Sequence, residues 1–227
     1  MSGRPLIFSV IILIFTVSQV SADTPSPLYS HSKQTRSGKY LFVMISPLSP
    51  EFDGKWEREP KASEIREIRK TYNESGLYRN DGSTTPLWTV DWYAHGTEPF
   101  SDGIHLVRKG PWATSPDSEA VSFFANGVLI RTYTVQDLVA NPKNMPHSVS
   151  HFTWRYDEEL NDHDKTYKIT TKHFEYYLFD ATTGKIISTS APFQWAPSIL
   201  GVFLISAFSY WWWRRKYMPN KRMQSDK

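Results

Sequence analysis

Ala120-Val121-Ser122-Phe123-Phe124-Ala125-Asn126-Gly127-Val128-Leu129-Ile130-Arg131-Thr132-Tyr133 is the stretch that decides the fold class. Two short runs rich in aromatic and β-branched residues flank an Asn-Gly pair. A two-residue type I′ turn needs positive φ at both central positions, and Asn-Gly supplies it at the lowest steric cost. The stretch predicts a β-hairpin. The same grammar recurs on both sides of it. Leu77-Tyr78 leads through Asn80-Asp81-Gly82 to Leu87–Tyr93, and Phe174–Phe179 leads through Thr182-Thr183-Gly184 to Lys185-Ile186-Ile187. Each of the three hairpins is preceded by a further apolar run: Tyr40–Ile45, Ile104–Arg108 and Tyr167–Thr170. Bounded runs of this length read as strands. Helical spacing appears at Ile65, Ile68 and Tyr72, which predicts one short amphipathic helix over Glu64–Lys70.

The expectation is therefore a mainly β domain over residues 37–190, with antiparallel strands in about three propeller-blade-like or sandwich-like units and one short helix. The turn glycines lie 45 and 57 residues apart, near the length of a propeller blade. In this the units resemble the blades of bacterial β-propellers, where Asp-Gly or Ser-Gly opens a strand and a later hairpin turns on glycine. The strings Leu77-Tyr78-Arg79-Asn80-Asp81-Gly82-Ser83 and His105-Leu106-Val107-Arg108-Lys109-Gly110-Pro111-Trp112 also resemble those of uncharacterised bacterial membrane-anchored proteins, a resemblance that implies no activity. Closed propellers have about four to eight blades. Three units leave an open curved stack, a sandwich, or closure by homo-oligomerisation as the arrangements.

Both ends of the chain read as membrane-directed. Residues 1–22 have the pattern of a signal peptide: Arg4, an apolar run from Leu6 to Val17, and small residues at Val20-Ser21-Ala22. Residues 23–36 carry Pro and Ser without periodicity and read as a linker. Residues 195–213 read as a transmembrane helix bounded by Trp195 and the aromatic cluster Tyr210–Trp213, with Arg214-Arg215-Lys216 opening a basic cytoplasmic tail over 214–227. The formal charge of +3 averages two regions. Residues 23–194 hold 19 Lys and Arg against 22 Asp and Glu, while the tail holds six basic residues against Asp226. The domain is mildly acidic, so nucleic acid is not an expected partner. With no cysteine, disulfides, thiol catalysis and cysteine zinc sites are excluded.

The candidate chemistry is sparse. His147 and His151 form an H-x-x-x-H pair beside Ser148 and Ser150, but Pro146 and the apolar Val149, Phe152 and Trp154 suggest an extended segment. Extended residues four apart are separated by about 13 Å, too far to share a metal. The Glu of an H-E-x-x-H zinc motif and the G-x-S-x-G nucleophile elbow are both missing. Asp157-Glu158-Glu159 with Asp162 and Asp164 lacks the alternation and glycine of a calcium loop, and reads as a solvated turn. Asn73-Glu74-Ser75 is a formal glycosylation sequon. The remaining concentration of ligand-type residues is Trp88, Asp91, Trp92 and Trp112, aromatics with a carboxylate that could stack a sugar or peptide. No metal and no cofactor is expected.

These features predict a single-pass type I protein of the cytoplasmic membrane. Its helix lies in the lipid bilayer, and its β-rich domain faces the periplasm or the cell exterior to bind a ligand or a protein partner of the envelope. The competing expectation is an envelope hydrolase built on Asp91, His147 or His151. A sensor is disfavoured because about fourteen residues of tail leave no room for an output domain.

Overall fold

The Asn126-Gly127 turn forms as its sequence requires, with φ of 50° and 78°. It joins β7 (Glu119–Ala125) to β8 (Val128–Thr134) in antiparallel register, Ala125 opposite Val128. The computed structural model describes residues 26–148, 150–190 and 196–217. The expected signal peptide at 1–22, Trp195 and the tail beyond Tyr217 lie outside the described residues.

Among the described residues, twelve strands form three four-stranded antiparallel sheets, each made of four strands consecutive in the chain. The first contains β1 (His31–Gln34), β2 (Tyr40–Met44), β3 (Gly76–Arg79) and β4 (Pro86–Thr89). The second contains β5 (Thr97–Pro99), β6 (His105–Lys109), β7 and β8. The third contains β9 (Arg155–Asn161), β10 (Thr166–Thr171), β11 (Tyr176–Asp180) and β12 (Lys185–Ser190). The expected mainly β fold with three antiparallel units is present. Helices are few: α1 (Lys61–Thr71), the single turn α2 (Val135–Leu138) and α3 (Ala196–Tyr217).

The middle sheet is sandwiched by the other two, and side-chain alternation explains how. Successive residues of a strand point to opposite faces. In β6 and β7, Leu106 and Phe124 join Phe42, Met44 and Leu77 of the first sheet, whereas Val107 and Phe123 join Tyr167, Ile169 and Phe179 of the third. Phe123 and Phe124 are both buried, one in each interface. The stack ends differently on its two sides. On the outer face of the first sheet, Val43 and Tyr78 pack under Ile68 of α1, with Leu41, Ile45 and Tyr72 around them. On the third sheet Leu160, Tyr167 and Ile169 point inward, so the alternating Asp157, Glu159, Lys168 and Thr170 form a polar outer face.

The first strand of each sheet departs from the sequence reading. The linker expected over 23–36 is structured from His31, where β1 pairs with β2; just before it, buried Ser30 is held by Asp53, which accepts from both its backbone N–H and its hydroxyl. The residues of β5 fall between the expected strands. The acidic segment at 157–159 is not a solvated turn but part of β9, with Glu158 turned inward. Each of these strands is short or polar, so hydrophobic alternation does not reveal it. Ion pairs connect them instead. Lys33 of β1 meets Glu98 of β5 at 2.6 Å, Glu98 meets Lys109 at 3.0 Å, and Lys109 meets Glu158 of β9 at 2.8 Å. The network crosses all three sheets. Burial alone would raise the Glu98 carboxyl, but the hydrogen bonds and charge of Lys33 and Lys109 bring it below the usual carboxylate range.

No helix among the described residues is long and apolar enough to cross a membrane. The spanning helix expected over 195–213 is thus not supported as drawn. Its aliphatic part, Ile199 to Phe208, covers only about 15 Å at 1.5 Å per residue, against roughly 30 Å of hydrocarbon.

Truncating Phe123 or Phe124 to Ala is expected to cost about 3–5 kcal/mol each, read as a fall in the urea midpoint. Gly110→Ala is expected to destabilise as well, because a Cβ there would sit 1.8 Å from the Glu119 carbonyl oxygen. A Gly110→Ala midpoint equal to wild type would show that this close strand approach is not needed.

Candidate functional site

The segment joining β8 to β9 builds a concavity on the domain. Thr134 opens it, donating from its N–H and hydroxyl to Asp137 at 2.7 and 2.8 Å, which fixes the α2 turn. Val135, Leu138, Val139 and Met145 then anchor the segment in the core between the second and third sheets. After Pro146 the chain reverses. His147 bridges Phe152, the Ser148 N–H donates to the His151 carbonyl at 2.8 Å, and the Phe152 N–H donates to Ala113 at 2.9 Å. The extended geometry expected for residues 147–151 is therefore replaced by a tight turn. The turn brings Ser148 Oγ to 2.8 Å from His151 Nδ1.

A cavity of about 250 Å³ opens here, lined by Thr114, His147, Ser148, Ser150, His151 and the buried Phe152, with Pro116 and Pro142 completing the wall. Trp112 lies beside it, its ring stacked on His151 at 4.0 Å and 26°. Among the described residues no Asp, Glu, Lys or Arg lines the cavity. Ser148 engages Nδ1, whereas a Ser-His-Asp arrangement needs that nitrogen for its carboxylate and the other for the nucleophile. The pair is a turn-stabilising hydrogen bond without the geometry of an acyl-transfer dyad. Asp91 is exposed in the β4–β5 loop and takes no part in the cavity lining. Among the described residues, no group of three or more His, Asp or Glu is placed to hold a metal.

The four expected ligand residues do not converge. Trp92 lies in the wedge between the first and second sheets, 6.4 Å from Phe42 and 4.9 Å from Phe124. The Arg108 guanidinium sits 4.6 Å above it, and Glu119 holds that guanidinium with two hydrogen bonds of 2.9 and 2.7 Å. Trp88 packs 5.8 Å from Phe42 and donates Nε1–H to the Gly103 carbonyl at 2.9 Å. Both indoles are packing elements. Of the three tryptophans only Trp112 is exposed, at 42%. Its partner His151 could be found from the sequence only by knowing that Ala113 pairs with Phe152.

A second polar cluster ties the N-terminal segment to the β4–β5 loop. Tyr93 Oη donates to the Tyr29 carbonyl at 3.0 Å, accepts the Tyr29 N–H at 3.1 Å and meets His95 Nδ1 at 3.3 Å. His31 and Tyr29 pack edge-on at 5.7 Å, and Lys61 lies 4.2 Å over the Tyr29 ring. Burial pushes the Tyr93 hydroxyl up to about 12. Burial also lowers both imidazoles from 6.5. His95 and Lys61 add to the effect at His31, opposed by the Tyr29 carbonyl and Asp53, while the Ser26 carbonyl opposes it at His95.

No family model matches the chain, and no curated protein or solved structure does so either.

The lowered imidazoles predict the sign of a pH effect. The unfolded chain takes up protons at 6.5 before the folded one does, so their contribution is complete above 6.5 and is lost as pH falls below it. The depressed carboxylates Glu98 and Asp102 act lower, below their ordinary values of 4.5 and 3.8. Urea midpoints should therefore be lower at about pH 5.5 than at pH 7.5, and His31→Phe should shrink the difference. An unchanged difference in that variant would show that His31 is not responsible.

Proposed function

We propose that this chain is a membrane-attached binding protein, in which α3 embeds in lipid and the three-sheet domain presents the Trp112–His151 cavity outside the cytoplasm. One observation carries the attachment. Val202, Phe203, Leu204, Ile205, Phe208 and Trp211, spaced around every face of α3, are all more than half exposed. A helix that is apolar all round has no face to give to water, so it belongs in a protein core or in lipid. Its end supports the same reading. Tyr210–Trp213 suit the headgroup zone, and Arg214, Arg215 and Lys216 follow at once, with Arg215 5.3 Å over Trp211 and Lys216 5.0 Å over Trp212. These flanking aromatics add buried length to an aliphatic stretch that is short by itself. The positive-inside rule assigns the three cations to the cytoplasmic side and the β domain to the other, as a single-pass protein. The three four-stranded meanders stack face to face, with their first strands linked by ion pairs. The cavity supports ligand binding in preference to hydrolysis, because its Ser–His pair lacks a carboxylate partner among the described residues.

Alkaline carbonate extraction of membranes tests the attachment. The full chain is expected in the pellet, and Leu204→Lys with Phe208→Lys is expected to move most of it to the supernatant while leaving the melting of the β domain unchanged. Retention of the double variant in the pellet would defeat the lipid assignment.

A further inference from the structure

We infer that the Trp112–His151 cavity is a binding site for a neutral saccharide, a ligand assignment that rests on the binding reading given above. Four features of the site lead to this class. The first is a platform: Trp112 is 42% exposed and has one side of its ring braced by His151 at 4.0 Å. An indole face is electron-rich and attracts the weakly positive C–H groups that line one side of a pyranose ring. The bracing matters, because an indole held in one orientation loses little conformational freedom when a ligand stacks on it.

The second feature is the polar complement. Thr114, Ser148, Ser150 and the two imidazoles bring hydroxyl and ring-nitrogen groups to one concavity. These groups both donate and accept hydrogen bonds, as sugar hydroxyls do. Ser148 occupies Nδ1 of His151, which leaves Nε2 as that ring's other polar atom. The third is the absence of formal charge from acidic and basic side chains among the described lining residues. Against these lining residues a phosphate, carboxylate or ammonium ligand would be desolvated without a counter-charge from any of them. The fourth is size. About 250 Å³ fits one sugar residue, and Trp112 stacks on the lining residue His151 beside it. Hydroxyl-bearing lining and small volume disfavour a large apolar ligand, since Phe152 is the one apolar aromatic among the described lining residues.

The site also has the right mechanical support. Trp112 follows Gly110-Pro111 directly after β6, and the bridge from Ala113 to Phe152 ties its strand to the 147–152 turn. Both halves of the cavity are thus fixed to the core between the second and third sheets, where Ala113 and Phe152 are buried.

Isothermal titration of the full chain in detergent micelles tests the assignment, with chitotetraose, cellotetraose and maltotetraose as neutral probes and tetragalacturonate as a charged probe of similar size. Saturable binding of at least one neutral probe is expected, with tetragalacturonate bound at least tenfold more weakly. Trp112→Ala is expected to weaken the neutral probe about tenfold, and Trp112→Phe, which keeps an aromatic platform, by less. Ser148→Ala gives a second variant, in the cavity lining, and is expected to weaken binding in the same direction. Thermal melting checks that each variant is folded. The inference is overturned if no neutral probe binds the wild type, if tetragalacturonate binds as well as the best neutral probe, or if neither folded variant alters binding. Carbonate extraction of the membranes from which the wild-type chain is purified separates this failure from a failure of membrane attachment, because the extraction reads α3 and not the cavity.

Discussion

The domain depends on the burial of both faces of β7. Phe123 and Phe124 are adjacent in the chain, so their side chains leave the strand in opposite directions, and each enters a different interface. A sheet buried on both faces cannot serve as the end of a stack. The first and third sheets must therefore cover it, and each has solved the problem of its own second face differently. The first uses Ile68 and Tyr72 of α1 over Val43 and Tyr78. The third turns Asp157, Glu159, Lys168 and Thr170 to solvent. Repeat architectures need terminal units of this kind, since an uncapped apolar face would recruit another copy. The outer faces of the first and third sheets thus differ from the two faces of the middle sheet, one covered by α1 and the other carrying polar residues.

Hydrophobic packing does not account for the first strand of each sheet. His31–Gln34, Thr97–Pro99 and Arg155–Asn161 contain few apolar residues, and Lys33, Glu98, Lys109 and Glu158 join them in one run of alternating charge. Alternation matters here, because each partly buried charge faces opposite charges and none is left alone in a region where solvation is weak. The arrangement gives the three sheets a fixed relative register that the oily interfaces, which tolerate sliding, would define less sharply.

Functional potential has been placed where the architecture is least repetitive. The connection from β8 to β9 is the one that inserts core residues between two sheets and then reverses at 147–152, and the cavity is a consequence of that reversal. The rigid stack holds Trp112 and the turn in place while leaving their polar groups accessible. The apolar α3 is chemically unlike the mildly acidic β domain that precedes it.

The sequence by itself determined the local elements whose cause is local. Asn126-Gly127 demanded a positive-φ turn, the apolar runs around it demanded strands, and Ile65, Ile68 and Tyr72 demanded one helical face. What it could not determine were contacts between residues far apart in the chain. Trp88 and Trp92 look like binding aromatics in a list of residues, yet Arg108, Phe42 and Phe124 make them packing elements. Trp112 looks the same in that list, yet it meets His151 only because Ala113 pairs with Phe152. The polar first strands were invisible for a related reason, because their stabilising partners are charges on other sheets. The Asn126-Gly127 hairpin that decided the fold class was readable from fourteen residues, but only the tertiary structure decided that its two phenylalanines would serve two different interfaces, since burial on both faces depends on what the rest of the chain brings to each side.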